Sequence, residues 1–336
     1  MNLYFVLHHS SRDNSFSCLE PVDKYSPRYL PANYSNFMNW SSPNKVIIQG
    51  INQPQAAFLA VQMKAYGSDI VAGVSPGRGG TKVGNIPVFD LVEQVYSVSD
   101  YINTTLIFVH PYQVLDAVVE AIAAGIGRVI VVTSDVPPQD TIKLIQHAKA
   151  SNTLLIGPGS HGMIIPQQTW LGKLQPQFYQ PGKVGLITTS EYLSYEVAAQ
   201  LNRANIGQSM VISLGNDLVT GSSLLEWLSI LNEDPNTEAI ISIAQRINET
   251  EDLVTYCKDY GFDKPIIVYL VGLKAPQEII FRDALTIISN HLSASIPAVN
   301  RGQQAIERLK KAGIKIVKRP KEIPSLITDL LEIAAN

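Results

Sequence analysis

The chain is poor in cysteine and in charge, and both shortages exclude classes of protein. Only two of its 336 residues are cysteine, Cys18 and Cys257, which is too few for a disulfide framework and favours a reducing compartment. Charged residues make up 16% and the net charge is −3, so there is no electrostatic case for binding nucleic acid or an anionic membrane. We predict a cytoplasmic protein with neither kind of partner, and we predict no metal site.

Long apolar runs are missing as well. No run approaches the roughly 18–20 residues that a transmembrane helix needs, and the start, MNLYFVLHHSSRD, is a poor signal peptide. Hydrophobic residues nevertheless make up 46% of the chain. This composition, at a length sufficient for about two domains, predicts a well-buried α/β protein.

Residues 1–43 form a segment that differs from the rest of the chain. No helical or strand period runs through them. One interpretation is an extended arm that packs its rings on the protein's own surface; the other is an arm that docks a partner or blocks the protein's own site. The segment holds eight of the chain's 26 aromatic residues, namely Tyr4, Phe5, Phe16, Tyr25, Tyr29, Tyr34, Phe37 and Trp40.

From Lys45 the sequence alternates short apolar strands with helices. Strands of five to seven residues separated by capped helices predict a parallel sheet with helices on both faces, in a domain spanning 44–168. Ligands of such sheets sit at the carboxyl ends of the strands. The predicted strands are KVIIQGI, DIVAGV, TTLIFV, RVIVVT and TLLIG.

Two loops at these strand ends bear on ligand binding. The first, GINQPQAAF, lies where a dinucleotide fingerprint would lie but keeps only Gly50, so it supports dinucleotide binding weakly. The second, GVSPGRGGTKVG at 73–84, has five glycines with Arg78 and Lys82. It could bring backbone N–H groups and two cations onto phosphates, or it could be a flexible loop built from glycine turns.

A stretch of turn residues, GPGSHGMIIPQQ at 157–168, and a Pro-Gly pair precede a second alternation at 181–336. It predicts a second parallel sheet of the flavodoxin-like kind. Within it, the stretch KVGLITTSEYLSYEVAAQL predicts a strand, a polar turn and an amphipathic helix. Thr188, Thr189 and Ser190 suit a phosphate cradle at a helix N-terminus, whereas the carboxylate of Glu191 would repel a phosphate.

These segments together resemble the α subunit of succinyl-CoA synthetase (succinate–CoA ligase). The resemblance runs from Lys45 to about residue 332. It is carried by AGVSPGRGG (72–80), IPVFDLV (86–92), EAIAAGI (120–126), IGPGSHGMIIP (156–166), PGKVGLITTSEYLSYE (181–196), GQS (207–209), SLGNDLVTGSS (213–223), DPNTEAIISI (234–243) and AGIKIV (312–317).

The resemblance implies a Rossmann-like domain that binds coenzyme A, followed by a flavodoxin-like domain that carries a phosphate-accepting histidine. A partner β subunit would supply the nucleotide-binding ATP-grasp domain. The coenzyme A site would comprise Pro76, Gly77, Arg78 and Gly79 in the glycine loop, Thr133 and Ser134, with His110 and Pro111 beside them. Arg78 stands where the family has lysine and keeps the positive charge.

The resemblance also shows departures at the phosphate-transfer site. The family's active histidine falls on Asp283, and the glutamate that orients it falls on Gln245. The family's arginine and glycine at the cradle become Thr189 and Glu191, and a cysteine or small residue in a neighbouring turn becomes Ser160, followed by His161 in place of proline.

Three functions remain open from the sequence. The favoured one is a catalytically degenerate α-like subunit that keeps some binding of coenzyme A or acyl-CoA, because nucleophile and orienter work as a unit and both are gone. The second is an active ligase that uses Asp283, or else His291 or His161, as phosphoacceptor. The third is a scaffold, regulator or acyl-CoA sensor that pairs with a β-like subunit or with itself.

Overall fold

The chain contains two sheets of seven strands each. The computed structural model describes Trp40 and residues 44–217, 219–244, 253–254, 263–271 and 301–335. In the first sheet the strand order is β3-β4-β2-β1-β5-β6-β7, and every pairing is parallel except that of β3 with β4. Its strands are β1 (Val46–Gln49), β2 (Ile70–Val74), β3 (Lys82–Val83), β4 (Ile86–Phe89), β5 (Thr104–Ile107), β6 (Arg128–Val131) and β7 (Leu154–Ile156).

Helices cover both faces of the first sheet. Alternate residues of β1 show this, because Ile48 packs in one core with α1, whereas Ile47 packs in another with α2 and α3. The helices are α1 (Pro54–Tyr66), α2 (Val114–Ala123) and α3 (Pro138–Ala150). Gly67 ends α1 with φ 118°, a left-handed value that glycine adopts without strain.

The second sheet has the strand order β14-β13-β12-β10-β11-β8-β9. Its strands are β8 (Gly162–Ile165), β9 (Thr169–Gly172), β10 (Pro181–Thr188), β11 (Gln208–Ser213), β12 (Ala239–Ala244), β13 (Ile266–Leu270) and β14 (Lys315–Val317). The helices described with it are α4 (Glu191–Arg203), α5 (Leu224–Glu233), α6 (Arg301–Lys311) and α7 (Ile323–Ala335). The predicted α/β class with two successive domains is confirmed.

One edge of the second sheet departs from the prediction of a wholly parallel sheet. β8 runs antiparallel to β11, and β9 runs antiparallel to β8. The two strands cross closely at Gly162 and Gly172, where a Cβ on Gly162 would lie 1.8 Å from the Leu171 carbonyl oxygen. The domain boundary at residue 168 stays a prediction. Both strands of this hairpin belong to the second sheet, although β8 precedes residue 168 in the sequence.

The hairpin also joins the two domains, because α1 of the first domain packs against β9 of the second. At the end of α1, the Ser68 hydroxyl donates to the Trp170 carbonyl at 2.7 Å and accepts from the Trp170 N–H at 2.9 Å. The Tyr66 ring meets the Trp170 ring edge-on, with centroids 5.9 Å apart. An edge strand that would otherwise expose unpaired backbone is thus covered by a helix.

Trp40 is the one residue of the N-terminal arm that the structure describes, and it is 1% exposed. Its ring lies 6.4 Å from that of Trp227, on α5, and the Arg128 guanidinium lies 4.4 Å from its centroid, at the start of β6. Burial lowers the pKa of Arg128 to about 10, so the side chain stays cationic at neutral pH and suits the ring face. For this residue the arm packs on the protein itself, between the two domains.

No helix among the described residues is long and apolar enough to cross a membrane.

Candidate functional site

The first candidate site is the carboxyl edge of the first sheet, where β2, β1 and β5 end side by side. The backbone after β1 turns sharply at Gly50, whose φ is 79°. A Cβ there would lie 2.9 Å from the Val109 nitrogen, so the turn after β1 contacts the loop after β5. Only glycine fits this turn, because of both its φ and its closeness to that backbone.

The glycine loop after β2 folds around Asp90. The carboxylate of Asp90 accepts from the Arg78 N–H at 3.0 Å and from the Gly79 N–H at 2.9 Å. The next two N–H groups also stay within the chain, since Gly80 donates to the Val88 carbonyl and Thr81 to the Arg78 carbonyl. These four groups are therefore engaged within the chain in this structure, as in the second of the two interpretations that the sequence left open, a loop built from glycine turns.

What the glycine loop does present to solvent is charge. Residues 76–82 are all exposed, including Pro76, Gly77, Arg78 and Lys82. Both cations can therefore meet an anion directly, and the guanidinium of Arg78 can bind a phosphate with two parallel hydrogen bonds.

The Thr133 and Ser134 pair follows β6, next to the loop after β5. The Thr133 hydroxyl donates to the Val109 carbonyl at 2.7 Å, and both residues are half-buried. In the next two residues of the chain, the N–H groups of Asp135 and Val136 donate to the carboxylate of Asp217 at 3.1 Å and 3.2 Å. This contact crosses from the second domain, and no local sequence pattern predicts it.

His110 and Pro111 begin a short 3₁₀ turn, Pro111–Gln113, between β5 and α2. The Gln113 N–H donates to the His110 carbonyl at 2.8 Å and closes the turn. The His110 and Tyr112 rings stack with centroids 5.6 Å apart and planes 21° apart. The sequence placed His110 and Pro111 at this edge of the sheet, and the structure adds Tyr112.

The second candidate site is the turn between β10 and α4. Thr188 is buried, and its hydroxyl accepts from the Ser190 N–H at 2.9 Å and donates to the Ser190 carbonyl at 2.8 Å. The Thr189 hydroxyl oxygen is buried without a hydrogen-bond partner. Ser190 is the N-cap of α4, its side chain makes no capping bond, and Glu191 is the first helical residue. The predicted strand, turn and helix are all present.

Ser160 and His161 lie in the turn between β7 and β8, close to the end of β11. The Ser160 hydroxyl donates to the Ser213 carbonyl at 2.5 Å and accepts from the Gly162 N–H at 2.9 Å. The His161 N–H donates to the Ser213 hydroxyl at 3.1 Å. Ser160 thus ties this turn to the second sheet, and its hydroxyl is engaged inside the protein.

Three residues of the predicted phosphate-transfer chemistry lie outside the described part of the chain: Gln245, Asp283 and His291. Their roles stay predictions from the sequence.

Comparison with known proteins bears on both sites. Residues 41–135 match the family of CoA binding domains, and residues 181–280 match the succinyl-CoA ligase like flavodoxin domain. Subunit alpha 2 of an ADP-forming succinate–CoA ligase from Archaeoglobus fulgidus is 33% identical over 288 residues, which cover 85% of this chain and 97% of the relative. The chain belongs to the succinate–CoA ligase α-subunit family.

The members of this family differ in the acid that their names give. The α subunit of a malate–CoA ligase from Methylorubrum extorquens is also 33% identical, over 86% of this chain and 97% of its own length. Membership in the family, including its CoA binding domain, thus holds for this chain, whereas the acid does not follow from it.

A solved structure agrees with the fold. The ATP citrate lyase of Methanosaeta concilii, solved in complex with (3S)-citryl-CoA, matches 87% of this chain with a TM-score of 0.70 and 17% identity. The chain spans about half of that protein, 51% of its length. At this identity the likeness shows the shared two-domain fold.

Proposed function

We propose that this protein is a coenzyme A-binding α-type subunit of a ligase-like assembly, and that it does not form a phosphohistidine. Its role is then that of a scaffold, a regulator or an acyl-CoA sensor. The observation that carries this proposal is the contrast between the two sheet edges. The first presents the cations Arg78 and Lys82 to solvent, whereas in the second the Thr188 hydroxyl is buried and already binds the Ser190 N–H.

The proposed coenzyme A site uses the edge formed by the loops after β2, β5 and β6. Arg78 contacts the phosphates through its guanidinium, because the N–H groups of the loop are bonded to Asp90 and to neighbouring carbonyls. Pro76, Gly77 and Gly79 shape that loop. Thr133 and Ser134 line the next part of the site, where the sheet edge is polar and partly accessible.

The proposed absence of phosphoryl transfer rests on several positions that depart together. Asp283 and Gln245 stand where the resemblance expects the nucleophile and its orienter. At the cradle, the Ser190 N–H is already bound to the Thr188 hydroxyl, and the helix begins with the acidic Glu191. A phosphate would meet fewer free donors there and a negative charge.

The proposed partner is a β-type subunit with an ATP-grasp nucleotide site, or a second copy of this chain. The relatives are named as α subunits, which supports the first choice. A cytoplasmic location stays a prediction from the cysteine count.

Calorimetry of the full chain with coenzyme A tests the first half of the proposal. A bound ligand stabilises the folded state, so we expect both a binding heat and a rise in melting temperature. Absence of both at millimolar coenzyme A would remove coenzyme A binding from the proposal.

Incubation with γ-labelled ATP or GTP and a β-type subunit tests the second half. We expect no acid-labile label on any histidine of this chain. A histidine that takes up such label would contradict the proposal that this protein forms no phosphohistidine.

The same labelling separates the second candidate function, an active ligase subunit that uses Asp283. The names of the relatives, which include a malate–CoA ligase, favour catalysis in this family, and aspartyl phosphates are known enzyme intermediates. Hydroxylamine should release the label from an aspartyl phosphate, and Asp283→Asn should abolish the labelling. Both results together would establish the active ligase in place of the catalytically inactive subunit.

A further inference from the structure

Two buried side-chain donors at the amino end of the first sheet have no hydrogen-bond partner in the described part of the chain. They are the indole N–H of Trp40 and the amide nitrogen Nδ2 of Asn44, in side chains that are 1% and 8% exposed. Buried polar groups are nearly always bonded, because an unmet donor costs about as much as a lost hydrogen bond. Two such donors close together require an explanation.

Both donors lie beside the guanidinium of Arg128, the first residue of β6. The face of the Trp40 ring lies against it, with 4.4 Å from the guanidinium carbon to the ring centroid. The Asn44 oxygen Oδ1 accepts from Arg128 Nη1 at 3.4 Å and from the Thr104 hydroxyl at 2.8 Å. These two donors fix which end of the amide is oxygen, so Nδ2 is a donor on the other side.

The three groups together suit a negative charge. Arg128 is 5% exposed and remains cationic at neutral pH, since burial lowers its pKa only to about 10. A guanidinium and an indole N–H can donate but cannot accept. A buried anion is stable where it meets both an opposite charge and hydrogen-bond donors, and this corner of the fold supplies both.

We propose that Trp40, Asn44 and Arg128 bind a small monovalent anion of the chloride type. One guanidinium balances one negative charge, and the low exposure of all three side chains favours an ion without bulky substituents. The inference does not depend on the proposed function, because Thr104 and Arg128 begin β5 and β6, at the end of the sheet opposite to the proposed coenzyme A site.

An anion at this corner would also stabilise the packing of the two domains. The ring of Trp40 lies 6.4 Å from that of Trp227, on α5 of the second domain. The ion would hold the indole N–H on the side of the first sheet. A ligand that binds only the folded state raises its stability with the logarithm of the ligand concentration, so the anion should be visible in melting experiments.

Thermal melting in two salts tests the site. The full-length protein is melted in sodium chloride and in sodium gluconate at the same sodium concentration, which keeps the ionic strength constant while the small anion is exchanged for a large one. For an affinity of about 1 mM, we expect a melting temperature about 3–6 °C higher in about 100 mM chloride. Equal melting temperatures in the two salts would overturn the proposal.

Asn44→Asp is the decisive variant. Its carboxylate keeps an oxygen for Thr104 and Arg128 and places a second, negatively charged oxygen where Nδ2 stood. The variant thus supplies its own anion, and its melting temperature should not respond to chloride. Asn205→Asp makes the same change of charge at an exposed position after α4 and should keep the full response. A full response in Asn44→Asp would overturn the site.

Trp40→Phe is a second variant that keeps a ring beside Arg128 and removes only the N–H. We expect it to raise the chloride concentration that gives half of the melting response about tenfold, as loss of a hydrogen bond to a charged group does. An unchanged chloride response would show that the indole N–H does not contact the ion.

Anomalous scattering from crystals grown in sodium bromide locates the ion directly. A bromide peak in contact with Trp40, Asn44 and Arg128 is the expected result. Density without an anomalous signal at that place would assign the two donors to a buried water and overturn the proposal. Because none of these measurements involves coenzyme A, failure of the anion site would leave the proposed function standing.

Discussion

At the carboxyl edge of the first sheet, the loop after β2 carries Arg78 and Lys82 into solvent, while its N–H groups bind Asp90. At the corresponding edge of the second sheet, the Ser190 N–H in the turn after β10 donates to the Thr188 hydroxyl, and the helix α4 begins at Glu191. Both edges have a strand, a polar turn and a following element, and in both the protein's own oxygens take up backbone donors. They differ in the side chains that remain.

The carboxyl edge of a parallel sheet is a general binding site for anions. In both sheets of this protein, oxygens of its own side chains accept from backbone N–H groups at that edge. Where a cation is still exposed, the edge can attract a phosphate even after its N–H groups are bonded. Where a buried hydroxyl ends the strand, as Thr188 does, it closes the turn by accepting from the Ser190 N–H. Four substitutions test this difference.

Trp227→Ala tests whether the two regions belong to one folding unit. Trp227 is fully buried beside Trp40, whose ring also meets Arg128 of the first sheet. We expect a loss of about 3–5 kcal/mol in the free energy of unfolding, measured by urea denaturation. Trp227→Phe should recover part of it. A loss confined to the second domain's own transition would show that the two regions unfold independently.

Arg78→Ala tests the cationic edge. Hydrogen bonds to charged groups contribute about 1.5–3 kcal/mol, so we expect coenzyme A affinity to fall about tenfold to a hundredfold by calorimetry. Arg78→Lys should keep part of the affinity through its charge. Arg203→Ala, an exposed cation in the last turn of α4, is the control and should have no effect. Equal losses from both alanine variants would indicate a general charge effect.

Thr188→Val tests the closed turn of the second sheet. The substitution keeps the shape of the side chain and leaves the Ser190 N–H without its partner, whereas the Ser190 carbonyl still accepts from the Ser194 N–H of α4 at 3.3 Å. We expect about 1–3 kcal/mol lower stability in urea denaturation, with coenzyme A affinity unchanged. Ser190→Ala is the matched control, because the Ser190 side chain makes no capping bond. A Thr188→Val protein as stable as wild type would show that the turn does not depend on this hydroxyl.

Asp217→Asn tests the contact that brings the second domain to the first edge. The two oxygens of Asp217 accept from different N–H groups, Oδ1 from Asp135 and Oδ2 from Val136, so the amide keeps one of the two bonds and loses the other together with the charge. We therefore expect only about 1 kcal/mol of lost stability, measured as a small fall in melting temperature. Asp329→Asn, an exposed position on α7, should melt as wild type does. A larger fall in the control than in Asp217→Asn would contradict this assignment.

Much of the fold follows from local patterns. Apolar runs such as VIIQ and RVIV predict the buried parallel strands, and Gly67 predicts the end of α1. The hairpin of β8 and β9 was not predicted, because most residues of the stretch 157–168, in which β8 lies, are glycine, proline or glutamine and suggested only a linker. Its strands are four residues each and are stabilised by packing against α1, which no local pattern reveals.

The sequence predicted where along the chain the loops of the two candidate sites lie. The turn after β10 and the glycine loop lie where the alternation of strands and helices put them. The partners Asp90 and Asp217 were not foreseen: Asp90 follows β4, 11 and 12 residues from the N–H groups that it binds, and Asp217 lies 81 and 82 residues away. Which carboxylate reaches which turn depends on tertiary packing, and Asp217 comes from the other domain.

Trp40 has a practical consequence for anyone who shortens this chain. The match to the CoA binding domain begins at residue 41, so a boundary drawn from the family would remove the ring that Arg128 and Trp227 contact. A version cut there would lack a buried ring that packs beside the fully buried Trp227. The folded unit of this protein therefore includes a residue that precedes the match to the family.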